Sequence, residues 1–229
     1  KGSFFGKMPG DNPQKFAGVR AFYTYMLTHP GKKLTFMGAE LAQWNEWHYE
    51  YSLDWHLLQY APHRQTQDFF KAVNAFYLAE PALWEQDDSW QGFQWICADD
   101  NEANTISFLR WDKSGKPLMV VCNFSPVHRK GYRVGAPFAG TWSPVFNTDE
   151  TRFGGQGLGD VQPLKTEKVP CHEQPQSLVL DLPPMSAMLY RCTRRAPVRK
   201  ARQADEEKKK APAKAAVKKP RVKGAKEDK

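Results

Sequence analysis

No stretch of about 18 apolar residues occurs in the 229-residue chain, so no membrane-spanning helix is expected. The first residues, Lys1-Gly2-Ser3, lead into no apolar run of the kind a secretory signal carries. An initiator methionine is missing too, and the chain starts in mid-pattern, as expected of a piece of a longer or processed protein. Cysteine is scarce: Cys97, Cys122, Cys171 and Cys192 are far apart, sit mostly among apolar residues and show no CxxC spacing. They read as buried reduced thiols rather than two disulfides, which predicts a cytoplasmic protein. His48, His56 and His63 lack metal-ligand spacing and have no nearby cysteine, so no metal site is expected. Gly154-Gly155-Gln156-Gly157-Leu158-Gly159 lacks a Lys-Ser/Thr pair and a following helix; it reads as a flexible loop, not a phosphate cradle.

Positive charge is scarce where the chain is apolar. Residues 194–229 hold 15 of the 33 basic residues and 5 of the 25 acidic ones, which leaves residues 1–193 with a net charge of −2. A folded basic nucleic-acid-binding domain is therefore disfavoured. The 194–229 segment contains no aromatic residue and is rich in Lys, Ala and Pro. It cannot bury enough apolar surface to offset its ordering entropy, and is expected to be disordered. Its net charge of +10 predicts weak, salt-sensitive polyanion binding.

The remainder divides in two. Asp11 or Asn12 is a plausible N-cap, Pro13 suits a first helical turn, and Phe16, Val19, Tyr23 and Met26 then recur at helical spacing up to Pro30-Gly31. The spacing predicts a helix over 11–29. Residues 33–37 read as a short buried strand, and residues 65–80 as a second helix presenting Phe69, Val73, Phe76 and Tyr77. Between them residues 38–62 form a long aromatic and polar loop, of a length that more often serves function than connection. After residue 90 seven short runs alternate with turn chemistry: 93–98, 105–111, 118–124, 130–134, 140–147, 177–182 and 188–192. They predict an antiparallel β-sandwich. Its tryptophans, Trp84, Trp90, Trp95, Trp111 and Trp142, are expected mostly in the core, with a surface glucan site as the alternative for one or two of them. One strand between two helices cannot close a sheet, so the first part reads as the end of a (β/α)8 barrel, which needs roughly 250 residues when whole. The expected organisation is a barrel remnant over 1–85, an all-β sandwich over 86–193 and the basic tail over 194–229.

The runs Lys7-Met-Pro-Gly-Asp11, Gln14-Lys-Phe16, Pro30-Gly-Lys-Lys-Leu34, Phe36-Met-Gly38, Glu40, Ala42-Gln43, Glu46-Trp47 and Ser52-Leu-Asp-Trp-His-Leu-Leu58 resemble bacterial 1,4-α-glucan (glycogen) branching enzymes of the α-amylase superfamily. The resemblance continues through Gly92-Phe-Gln-Trp95, Asn123-Phe-Ser-Pro126, Tyr132-Arg133, Asn147-Thr-Asp149 and Leu182-Pro-Pro184. It implies that residues 33–37 are the eighth barrel strand. It implies an α-1,4-glucan or glycogen substrate and no metal or organic cofactor. It also places the family's nucleophilic Asp, acid/base Glu and transition-state-stabilising Asp upstream of the position matching Lys1, so no residue here inherits those roles and the piece is expected to be inactive by itself. Glu40, Glu46, Glu50 and Asp54 invite an acid/base reading, but the resemblance sends catalysis elsewhere. Glu40, Gln43, Trp44, Glu46 and Trp47 are the candidate glucan-binding residues, with Trp44 and Trp47 as stacking platforms or as plugs for the loop. Trp55 reads as a plug. The alternative function is a non-catalytic glucan-binding β module with a polyanion-binding tail.

Overall fold

The structure, a computed structural model, describes residues 2–195. The expected disorder of the basic tail falls outside them, apart from its first two residues. A short helix α1 (Phe4–Lys7) leads into α2 (Asn12–Thr28). Asp11 caps α2 reciprocally: its carboxylate accepts from the Gln14 amide at 3.0 Å, and the Gln14 side chain accepts from the Asp11 amide at 3.0 Å. This box satisfies two amides that would otherwise be orphaned at the helix start, and Pro13 costs nothing there. The buried stripe of α2 is Phe16, Val19, Tyr23 and Leu27, with Met26 only partly covered. Helix α3 (Ala61–Ala79) begins four residues earlier than its apolar periodicity announces. Pro62 fits its first turn after an extended Tyr60, so no capping side chain marks the start.

Eight antiparallel strands follow: β1 (Phe93–Asp100), β2 (Thr105–Trp111), β3 (Pro117–Asn123), β4 (Arg129–Ala136), β5 (Gly140–Asn147), β6 (Leu164–Lys165), β7 (Gln176–Leu182) and β8 (Ser186–Arg195). A six-stranded sheet runs β1-β2-β3-β8-β5-β6, and β4 pairs with β7 in a second sheet. Seven of the eight match the expected runs; β6, of two residues, has no sequence signal. Strand β8 continues through Arg194 and Arg195, which pair with Thr141 and Gly140, so the backbone remains sheet two residues past the expected tail boundary.

The six-stranded sheet is covered on both faces, and side chains alternate between two cores. Leu118, Val120 and Cys122 of β3 face Phe16, Val19, Phe69, Phe70 and Val73 of the helices. Met119 and Val121 face Val134, Leu178 and Leu180 of the second sheet. The helices therefore share a core with the sheet, and this core crosses residue 85, the expected boundary. Of the five sandwich tryptophans only Trp142 is fully buried. Trp84, Trp90 and Trp95 are exposed because they lie on the connection before β1 and on that edge strand.

Two further expectations fail. Residues 33–37 form no strand. They lack sheet partners among the described residues, Met37 already lies in a turn, and Leu34, Phe36 and Met37 are left 72%, 59% and 54% exposed. An extended apolar run needs a neighbouring strand to satisfy its amides and carbonyls, and none lies beside this one among the described residues. The glycine-rich loop is also less free than its composition suggests. The Asp149 carboxylate accepts from the amides of Gln156 and Leu158, each at 3.1 Å, and its carbonyl accepts from Gly157 at 2.7 Å.

Candidate functional site

The candidate residues sit on the segment between the exposed run and α3. Gly38 adopts φ 79°, and a Cβ there would come within 2.3 Å of the Gln43 side chain, so the turn requires glycine. A 3-10 turn (Ala39–Leu41) follows, with Leu41 buried against the core. The His63 ring, itself buried and edge-on to Phe16, bonds the Leu41 carbonyl at 2.7 Å. This anchors the beginning of the loop to α3.

Gln43 closes the loop. It is buried; its Nε2 donates to the Asn45 carbonyl at 3.1 Å and its Oε1 accepts from the Asp54 amide at 3.4 Å. The Asn45 side chain donates to the Asp54 carboxylate at 3.1 Å. Trp47 leans edge-on to Phe36 with centroids 5.6 Å apart, and Glu46 accepts from the Gly2 amide at 3.2 Å. Gln43, Glu46 and Trp47 thus share a cleft of about 210 Å³, whose other walls include Phe4, Tyr23 and Phe36. The same three residues border a second hollow of about 500 Å³, towards Tyr51 and Asp54.

Two candidates fall elsewhere. Trp44 packs edge-on to Phe5 at 4.6 Å and faces a different cleft, of about 430 Å³, with Tyr60 and His63. Glu40 lines neither Gln43 cavity. Its charge nevertheless reaches Tyr23, whose phenol is pushed up to about 12, first by burial and then by Glu40. Glu50 and Asp54 are engaged locally, Glu50 with the Tyr49 hydroxyl and Asp54 with Asn45. Sequence reasoning missed Tyr23, Phe36 and Asn45 as cavity walls. By their spacing Tyr23 reads as helix core and Phe36 as buried strand. Asn45 stands between two named candidates and could have been found by adjacency.

The arrangement offers an aromatic wall, a carboxylate and a buried amide around one opening, which suits a neutral polyhydroxylated ligand. No group of three or more metal-ligating side chains is clustered among the described residues.

Residues 95–193 match the family of the α-amylase C-terminal all-beta domain. A debranching enzyme from Nostoc punctiforme shares the fold, with a TM-score of 0.53 at 15% identity over 79% of this chain and 32% of that one. AmyP, solved in complex with maltose, gives 0.51 at 9% identity over 77% of this chain and 35% of its own. Fold and match together define an α-amylase-type C-terminal β domain with helices packed on its larger sheet. The 1,4-α-glucan branching enzyme of Pseudomonas fluorescens (strain Pf0-1) is 48% identical over 191 residues, 83% of this chain and 26% of the relative. That of Aquifex aeolicus is 51% identical over 189 residues, 82% of this chain and 30% of the relative. Over more than four fifths of its length the chain is similar to these bacterial 1,4-α-glucan branching enzymes, and its second half matches a C-terminal domain. It spans between a quarter and a third of the length of these relatives. Such coverage takes in helices as well as strands, which disfavours a free-standing β module.

Proposed function

We propose that the chain serves as the C-terminal portion of a 1,4-α-glucan branching enzyme, a glycosyltransferase of glycogen synthesis acting in the cytoplasm. In this reading an α-1,4 bond is cut and the freed chain is rejoined to a glucose 6-hydroxyl with retention. Retention needs a nucleophilic and an acid/base carboxylate about 5–5.5 Å apart. These belong to upstream residues, and the chain by itself does not turn over. Residues 1–85 are then the end of the (β/α)8 barrel, with 33–37 completing its sheet when the preceding strand is present. The observation that carries the reading is the 48% identity extending over 191 residues, helices and sheets alike.

Within that reading the loop after Gly38 contributes to the glucan-binding wall. Trp47 offers a ring face to the apolar side of a pyranose, Glu46 accepts a hydrogen bond from a sugar hydroxyl, and Gln43 holds both in place through Asn45 and Asp54. Trp44 and Glu40 act from neighbouring positions, Trp44 in its own cleft and Glu40 beside Tyr23. The basic tail adds weak polyanion binding that strengthens as salt falls.

The test combines the chain with the upstream portion of the Pseudomonas fluorescens relative and follows iodine absorbance of amylose, with debranched chain profiles as a second readout. The pair is expected to branch amylose, the isolated chain to leave it unchanged, and Glu46→Gln in the pair to raise KM more than it lowers kcat. Branching by the isolated chain, abolished by Glu46→Gln, overturns the division of labour.

A further inference from the structure

Two arginines are buried among the described residues, Arg20 of α2 and Arg110 of β2. Arg110 is saturated. Its guanidinium donates to the carbonyls of Leu83 and Gly92, each at 3.1 Å, to the Thr28 carbonyl at 2.6 Å and to the Asp87 carboxylate at 2.8 Å. This clamp ties the connection before β1 to the end of α2. Arg20 is only 3% exposed, yet it makes one hydrogen bond, from Nε to the Thr148 carbonyl at 2.8 Å. Its two terminal amino groups have no acceptor among the described residues. Burial lowers the guanidinium to about 10, with the charge of Asp149 opposing, so the group stays cationic at neutral pH. Asp149 acts from beyond ion-pair distance, and its carboxylate already accepts from the amides of Gln156 and Leu158 at 3.1 Å each. A buried cation with unfilled donors is costly, and such groups are otherwise paired.

Arg20 borders the Trp44 cleft of about 430 Å³, whose lining includes no Asp or Glu. Phe16 and Phe153 are its buried apolar walls, and Trp44 and Tyr60, both about half exposed, stand towards solvent. Helix α3 starts at this cleft without a capping side chain, so its dipole adds positive potential. The walls are already set. A Cβ on Gly154 would come within 2.8 Å of the Gln65 Oε1, and the His63 ring is fixed by the Leu41 carbonyl.

We propose that this cleft binds a small organic anion, a flat ring carrying one carboxylate or phosphate group, with the Arg20 guanidinium receiving the oxyanion. The planar fork of arginine matches two oxygens of either group, and the aromatic walls take the ring. The volume suits a ligand of one or two fused rings. A neutral glucan would leave the buried charge uncompensated, so the ligand class differs from that of the Gln43–Trp47 cleft. Trp44 directly follows Gln43, which closes the loop, so a ring seated against Trp44 bears on that loop as well. The site stands on Arg20 and the cleft and does not depend on the branching-enzyme reading.

The test is isothermal titration calorimetry of the 229-residue chain with 1-naphthyl phosphate, 1-naphthoate, neutral 1-naphthol and inorganic phosphate. One naphthyl anion or both should bind with a Kd of about 1 mM or tighter, and their relative affinity tells phosphate from carboxylate. The neutral ring and the ring-free phosphate should each bind about tenfold more weakly or worse. Arg20→Met should weaken the anion about tenfold or more, and Tyr60→Ala about three- to tenfold. Arg20→Met also removes the bond to the Thr148 carbonyl, so urea midpoints verify that it folds. Tyr60→Ala, at an exposed position, tests the cleft independently. Absence of binding by both anions overturns the site, as does unchanged affinity in Tyr60→Ala or affinity no greater than that of 1-naphthol. An anion held equally well by folded Arg20→Met also overturns it, and would belong to the basic residues of 194–229. None of these results bears on the branching-enzyme reading, which falls only if the chain combined with its upstream portion fails to branch amylose.

Discussion

Two five-residue apolar runs in this molecule have opposite fates. Leu118–Cys122 lies in the middle of a six-stranded sheet, sends alternate side chains into two cores and is fully buried. Residues 33–37, where Leu34, Phe36 and Met37 share the run with Lys33 and Thr35, have no sheet partner among the described residues, and Leu34 remains 72% exposed. The difference is not in β propensity, which is adequate in both. A strand forms where its backbone groups find partners and its side chains find covering surface, and only the first run has both. A local pattern proposes a strand; the surroundings decide whether it exists.

The largest effects are expected where the two regions are joined. Arg110→Ala would strand three buried carbonyls and leave Asp87 without its guanidinium. Breaking a buried charge pair in this way costs about 3–5 kcal/mol, read as a shift in the urea midpoint at constant slope. A loss below 1 kcal/mol would mean that the clamp is dispensable. Next comes the buried run itself: Leu118→Ala is expected to cost about 2–5 kcal/mol through lost transfer energy and a residual cavity. A loss no larger than that of a surface substitution would erase the contrast between the two runs.

The third effect is a pH dependence at the edge of the exposed run. Lys33 stacks over Tyr77 and is held near Asp87, and its amine is lowered from 10.5 to about 8, chiefly by burial, with Asp87 opposing and Arg110 assisting. The folded protein thus releases this proton before the unfolded chain does. Between pH 8 and 10.5 the unfolded state binds more protons, so this group makes stability rise with pH. Buried Cys122 pulls the other way, because its raised thiol keeps a proton that the unfolded chain loses from about pH 9. Lys33→Met separates the two. The stability difference between the chain and this variant should shift in favour of lysine by on the order of 1–3 kcal/mol from pH 7.5 to 10. A flat difference would show that burial does not depress the amine.

Helices α2 and α3, seven strands and the likeness to branching enzymes were legible because each rests on local or ordered signals: an N-cap at Asp11 or Asn12 followed by Pro13, the Phe16–Val19–Tyr23 stripe, and alternation between turn residues. What was not legible depends on partners distant in the chain. Nothing near Arg110 announces that it will meet Thr28, Leu83, Asp87 and Gly92. Trp90 and Trp142 are alike as letters, yet one is held out on an edge connection and the other lies between two sheets. Of the five candidate binding residues, Gln43, Glu46 and Trp47 meet at one cleft because a buried amide closes a short loop. Trp44, one position along from Gln43, turns to another cleft, since neighbours in an irregular loop share no common face.

The smallest expected effect completes the comparison. Leu34→Ala removes as many carbon atoms as Leu118→Ala, but the side chain is already mostly in water, and little transfer energy is lost. Its cost in the 229-residue chain should lie within about 0.5 kcal/mol by urea denaturation. The same substitution becomes informative when the upstream portion of a branching enzyme is added. If residues 33–37 complete a barrel sheet there, Leu34 becomes covered, and Leu34→Ala should then weaken the assembly by about 2–5 kcal/mol, as an interior leucine does. The readout is the concentration needed to restore branching activity, compared with Leu118→Ala at matched folding. A Leu34→Ala effect that stays negligible in the assembly would remove residues 33–37 from the barrel. If instead the effect grows from negligible to core-like on assembly, the exposed run is a strand that lacks only its neighbours.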